Sequence, residues 1–253
     1  MNRLVTRNVI VLQFLLSSVM HAACNAAVPQ QKKMPITTAS ETAREAYKQG
    51  MTLFHNARSS DALLHFEKAV AEDTNFILAV VAVANTQPRF KEMFEIMNQA
   101  YNMLERVEVS EGERIYVLAA HAAINSDAET QSANLTKLAE MFPEDDDILL
   151  QLAGYHWGRR DYQKSQQIYK QVVAFKPDSA PAQNMLGYSN WRLGKYQEAK
   201  AAFLKNIELT PDEPNAYDSL AELLLKTGRY KESIEVYKEA LKIDPLFEFS
   251  HVG

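Results

Sequence analysis

Residues 214–247 read PNAYDSLAELLLKTGRYKESIEVYKEALKIDPLF, and residues 180–213 read APAQNMLGYSNWRLGKYQEAKAAFLKNIELTPDE. Aligned on Pro211 and Pro245, both are pairs of amphipathic stretches parted by a glycine, Gly194 or Gly228. Pro143 and Pro177 continue the spacing, because 177−143, 211−177 and 245−211 all equal 34. A fixed period of about 20–50 residues marks a repeat architecture, in which each unit buries its apolar face only by stacking on its neighbours. The glycine suits a tight turn because it accepts positive φ. The proline ends each second helix because it cannot continue the hydrogen-bond ladder.

Counting back by the same period gives 146–179 and 112–145, then, with one extra residue, 77–111 and 43–76. The pattern predicts about six helical hairpins between residues 43 and 247, clearest in 146–179, 180–213 and 214–247. The second hairpin is the weakest. Its apolar run FILAVVAVANT leads into Gln87-Pro88-Arg89, where the turn should fall.

The last three repeats carry a recognisable residue pattern. Residues 214–247 supply Tyr217, Leu220, Ala221, Leu224, Ser233, Tyr237, Ala240 and Pro245. Residues 180–213 supply Leu186, Gly187, Ala199, Phe203 and Pro211, with departures at Gln183, Asn190 and Asn206. Residues 146–179 supply Leu149, Leu152, Ala153, Ser165, Tyr169, Val172 and Pro177, with His156 at an apolar position. This pattern resembles the tetratricopeptide repeat family, particularly its bacterial exported members. The resemblance implies an all-α, right-handed α-solenoid of stacked helix-turn-helix hairpins. It also implies that a protein or peptide partner lies on the concave face, along repeat positions 2, 5, 9, 12 and 13 of the first helices. Carried over, those positions give Leu150, Trp157, Asn184, Tyr188, Trp191, Arg192, Asn215, Asp218, Glu222 and Lys226.

Trp157 and Trp191 are the chain's two tryptophans and share one repeat position. With Tyr188 and Arg192 they form either an interaction hot spot, for which these residue types are enriched, or packing between adjacent first helices. Asp218 and Glu222 would repel a carboxylate, which argues against a receptor for peptide C-termini.

Composition narrows the function classes. Eight Gly and nine Pro in 253 residues suit a helical array better than an all-β domain. A net charge of −5 gives no electrostatic footprint for nucleic acid. One cysteine excludes an intrachain disulfide and a cysteine zinc site. There is no HExxH, no glycine-rich phosphate loop and no G-x-S-x-G. The run Glu144-Asp145-Asp146-Asp147 fits a helix N-terminus better than a cation site. We expect no catalysis, no metal and no cofactor.

Residues 1–27 combine Arg3 and Arg7, an apolar stretch from Val9 to Met20 and small residues, the pattern of a secretory signal peptide. Cleavage after Ala26 or Ala27 would send the chain to the bacterial periplasm or outside. Ala22-Ala23-Cys24 is similar to a lipoprotein box, although His21 stands where that pattern has an aliphatic residue. Lipidation at Cys24 would instead hold the protein on a membrane. Residues 28–42 are polar and read as a flexible linker. Residues 248–253 read as the start of a further helix or as a cap. The sequence supports a non-catalytic interaction scaffold; the alternatives are an accessory region of a longer enzyme or sensor, and a membrane-anchored lipoprotein assembly factor.

Overall fold

The computed structural model describes residues 32–247. Twelve helices among them pair into six antiparallel hairpins. They are α1 (Glu41–His55) with α2 (Ser59–Glu72), α3 (Ile77–Thr86) with α4 (Phe90–Met103), and α5 (Glu111–Ile124) with α6 (Ala128–Met141). Next come α7 (Asp146–Gly158) with α8 (Tyr162–Phe175), α9 (Ala180–Arg192) with α10 (Tyr196–Leu209), and α11 (Pro214–Lys226) with α12 (Tyr230–Ile243). Each hairpin stacks on the next, giving the expected all-α helical-repeat solenoid. The proposed signal peptide, Cys24 and residues 248–253 lie outside the described residues.

Local chemistry sets both ends of the hairpins. The second helices α6, α8, α10 and α12 each stop two residues before Pro143, Pro177, Pro211 and Pro245. Three of the six first helices begin on side-chain caps: Ser40 accepts from Ala43 N–H and Asp145 from Ile148 N–H, while Ser110 and Glu113 form a reciprocal capping box. Inside five of the hairpins one turn residue is left-handed: Ala57, Ser126, Arg160, Gly194 and Gly228, with φ between 58° and 79°. From Ser126 onward these recur every 34 residues. The following N–H closes the turn on the carbonyl five residues back, as from Asp161 to His156 at 2.9 Å and from Arg229 to Leu224 at 2.9 Å.

The second hairpin departs from this plan. Its first helix has 10 residues where the other five have 13–15, and Pro88 follows in an extended turn. All of α3 except Asn85 is buried. It sits within a continuous core that joins hairpins 1–3 to Ile148 and Leu152 of α7. The later hairpins are held by smaller separate clusters, such as Phe203 with Ala199, Leu220, Leu223 and Leu224.

A close helix approach recurs at both ends of the array. Gly50 faces the Phe66 ring and Gly187 faces the Phe203 ring; a Cβ at either glycine would stand 2.5 Å from ring carbon. The array also winds back on itself, because Asn56 in the first turn donates to Glu213 at the start of the sixth hairpin (3.1 Å).

The segment expected as a linker differs from its reading. Glu41 and Thr42 belong to α1. Residues 32–40 lie along the edge formed by the inter-hairpin turns, with Met34 and Ile36 packed against the core. Charged residues in a polar, proline-bearing segment read as solvated spacer, whereas here the lysines meet carboxylates and the two apolar side chains meet the core.

Candidate functional site

The first helices carry the expected site residues, and the structure divides those residues into three places. The first is an aromatic and cationic ladder on α7, α9 and α11. Tyr188 stands at its centre, with ring centroids 6.2 Å from Trp157, 6.0 Å from Trp191 and 5.0 Å from Phe203. The Arg192 guanidinium lies 5.9 Å from the Trp157 ring centroid and 5.7 Å from that of Trp191, within cation–π range of both. Trp157 also meets Tyr162 edge-on at 4.9 Å. Both tryptophans are half-buried and Arg192 is exposed. The shared repeat position thus places the two indoles on one face, with Tyr188 and Arg192 between them.

The Tyr188 hydroxyl reaches α11, where it lies 3.2 Å from Ser219 Oγ and 3.2 Å from Glu222 Oε2. Burial pushes the Tyr188 phenol well above its ordinary value, the Ser219 hydrogen bond pulls back, and the charges of Glu222 and Asp218 raise it further. The phenol therefore stays protonated, and its proton can be donated to the Glu222 carboxylate. Asp218 and Glu222 make the α11 side of the ladder acidic, opposite the Arg192 cation.

The second place is a hollow of about 270 Å³ formed by α1, α2, α3, α5 and α7. Leu150 belongs here and is separate from the ladder. Met51, Phe54, Phe66 and Ala82 supply apolar wall; His55, Asn85, Tyr116, Asp147 and Gln151 supply polar groups. His55 Nε2 lies 3.5 Å from Asp147 Oδ1, and Gln151 donates to the Tyr116 hydroxyl at 2.7 Å. Burial raises the Asp147 carboxyl, helped by Asp146 and Asp145 and opposed by His55. Burial likewise pushes Tyr116 up to about 12. The sequence reading missed this hollow, although the signal was present. Counted by repeat, Met51, Phe54, His55, Asn85, Tyr116 and Asp147 occupy the same five inner positions that yielded the ladder.

The third place is the crevice where the first hairpin reaches the sixth. Asn184 lies there with Asn56, Glu213 and Asn215, and its buried Oδ1 has no hydrogen-bond partner among the described residues. Asn184 is therefore apart from the ladder.

The remaining candidates resolve as architecture. Asp145 caps α7, and Asp146 pairs with Lys33 (2.7 Å) and with Lys176. His156 is buried, 3.7 Å from Asp161. Among the described residues no group of three or more His, Cys, Asp or Glu side chains is placed to hold a metal ion, and no helix is long and apolar enough to cross a membrane.

Comparison with known proteins agrees with this architecture. Residues 184–246 match the tetratricopeptide repeat family model. No curated protein matches the chain. Among solved structures, the chain is similar to the APC/C hetero-tetramer Cut9-Hcn1, with 16% identity and a TM-score of 0.55 over 94% of this chain and 44% of that one. It therefore spans less than half the length of that relative. MamA from Desulfovibrio magneticus RS-1 aligns over 83% of this chain and 99% of its own, with 12% identity and a TM-score of 0.46. MamA of MSR-1 aligns over 66% of this chain and 92% of its own, with 17% identity and a TM-score of 0.49. The matched family model places tetratricopeptide repeats at residues 184–246, and the helical pairing continues the same hairpin plan through the described residues.

Proposed function

We propose that the chain is a non-catalytic scaffold that binds a protein or peptide on the inner face of its last three hairpins. The observation that carries this reading is the Arg192 guanidinium lying over both Trp157 and Trp191. Large aromatic surface beside an exposed arginine is the chemistry of binding hot spots, where area is buried at low entropic cost. Acidic Asp218 and Glu222 on the far side set an orientation for a partner with basic groups at that end. Tetratricopeptide repeats commonly bind proteins or peptides, and that breadth agrees with a face built from aromatic rings and an exposed guanidinium. The reading includes export, supported by the signal-peptide pattern of residues 1–27, with Cys24 the residue that lipidation would use.

Affinity enrichment from envelope extract tests the scaffold, using wild type, Trp191→Ala and Arg192→Ala as baits. Loss of the same captured proteins from both variants is expected; an unchanged set refutes the ladder as the recognition face. Intact mass of the mature chain tests export: cleavage after Ala26 or Ala27 supports it, a diacylated Cys24 places the protein on a membrane, and an uncleaved residue 1 removes it.

A further inference from the structure

Residues 32–40, KKMPITTAS, run along the edge where successive hairpins meet, away from the ladder. Their backbone is read by carboxylates from three hairpins. Asp145 Oδ2 accepts from Met34 N–H (2.8 Å), Glu113 Oε1 from Thr37 N–H (2.7 Å) and Asp73 Oδ2 from Ala39 N–H (3.3 Å). The hydroxyls of Thr37 and Thr38 donate to Glu113 Oε2 and Asp73 Oδ2. Arg44 donates to the carbonyls of Ile36 and Thr38, and Glu144 N–H donates to the carbonyl of Lys32.

The carboxylates are oriented by groups other than this segment. Asp145 Oδ1 accepts from Ile148 N–H as the cap of α7. Glu113 Oε2 accepts from the Ser110 N–H and hydroxyl in the capping box of α5. Asp73 Oδ1 accepts from Asn75 N–H in its own turn. In Asp145 and Asp73 one oxygen is fixed locally and the other faces the segment; in Glu113 the oxygen fixed by Ser110 also accepts from the Thr37 hydroxyl, and Oε1 accepts from the Thr37 N–H. Glu113 is fully buried, so its outward oxygen requires a donor. Beside it, Gly112 leaves room for the Met34 side chain against Phe142: a Cβ there would stand 2.7 Å from the Phe142 ring and 2.9 Å from Met34 Cγ. Lys32 and Lys33 then meet Glu144 (2.8 Å) and Asp146 (2.7 Å).

We propose that this edge is a peptide-binding site whose resident occupant is the chain's own segment 32–40, and that its ligand class is an extended peptide with two basic residues followed by an unbranched apolar side chain. Main-chain N–H groups supply hold without sequence demand, and the lysines with the Met34 socket supply selection. Because helix caps and a turn orient the acceptors, the site persists when the segment leaves. A tethered occupant acts at roughly millimolar effective concentration, so it masks the site from weaker peptides in trans.

The test uses the full chain carrying Lys32→Glu, Lys33→Glu and Met34→Asp, which weakens the occupant and leaves the groove intact. The probe is a fluorescein-labelled KKMPITTAS peptide, read by anisotropy. Saturable binding to this variant, at least tenfold weaker binding to wild type, and a further tenfold loss with added Glu113→Gln are expected. A variant that keeps its helical circular dichroism but does not bind the peptide overturns the proposal. So does equal binding to wild type, or loss of helical signal, which would make the segment an inseparable part of the fold. Hydrogen exchange on wild type is an independent check: the amides of Met34, Thr37 and Ala39 should exchange at least tenfold faster than that of Val117 in α5. Equal protection overturns the proposal.

Discussion

Hairpins 1–3, the second apart, share a left-handed turn with hairpins 4–6, and each half has a glycine–phenylalanine contact, yet the two halves distribute their apolar surface differently. The first three pool it into one continuous core around α3, with residues 32–40 laid along its edge. The last three keep it in smaller clusters between successive hairpins and leave an aromatic and cationic face on α7 and α9. In a linear array stability is approximately a sum of unit and interface terms. Pooling couples the first hairpins to one another; smaller clusters leave the later ones with a surface for something else. The region most like the family is thus the one with the candidate recognition face, and the least family-like hairpin is the best buried.

The largest test of this contrast is Val81→Asp, which places an unpaired carboxylate in the middle of α3, where Val81 is fully buried. A cost of about 4 kcal/mol or more is expected. Urea titration should show the loss in the whole of hairpins 1–3, while near-ultraviolet signal from Trp157 and Trp191 survives to higher urea.

The shared contact offers a second test. Alanine normally gains about 1 kcal/mol over glycine inside a helix. At Gly50 and Gly187 the sign should reverse, with Gly→Ala costing about 1–3 kcal/mol through overpacking against Phe66 or Phe203. Adding Phe203→Leu to Gly187→Ala should recover part of the loss, measured by thermal or urea unfolding.

The edge gives a pH-dependent test at Asp146. Burial pushes its carboxyl up, but the hydrogen bonds and charges of Lys176 and Lys33 outweigh it and hold the group below the usual carboxylate range. Its stabilisation is therefore complete above the unfolded value of about 3.9. It is lost as pH falls through the lower folded value. Asp146→Asn should cost about 1–2 kcal/mol at neutral pH, discounted because both lysines are partly exposed. The difference from wild type should shrink in urea titrations as pH falls below the unfolded carboxylate value.

The smallest effects lie in the turns. Arg160 adopts φ 63° where later repeats have Gly194 and Gly228. Arg160→Gly should stabilise by up to about 1 kcal/mol and Gly194→Ala should cost about the same, a reciprocal pair that a thermal melt resolves.

Much of this architecture is legible in the sequence because its causes are local and periodic. Prolines stop second helices, glycines permit turns, and amphipathic spacing marks the packed faces. What escaped is non-local or aperiodic. A helix buried all round, like α3, has no polar face to reveal its period. Ala57, Ser126 and Arg160 do the work of turn glycines without looking like them. Residues 32–40 have no periodicity; their place depends on acids 34 to 113 positions away. At the site, one repeat position was enough to place Trp157 and Trp191 on a common face. Asn184 satisfies the same rule but falls in the crevice made when the array winds back, a consequence of superhelical geometry that repeat counting does not contain.

The two tryptophans of the chain both stand on the ladder, so tryptophan fluorescence reports on that face alone. A partner recovered by affinity enrichment should be titrated into the wild-type chain while emission on excitation at the indole band is followed. A saturable change in emission, abolished by Arg192→Ala, is the result expected if the inner face of the last three hairpins is the recognition surface. Saturable binding of that partner with unchanged tryptophan emission would contradict it.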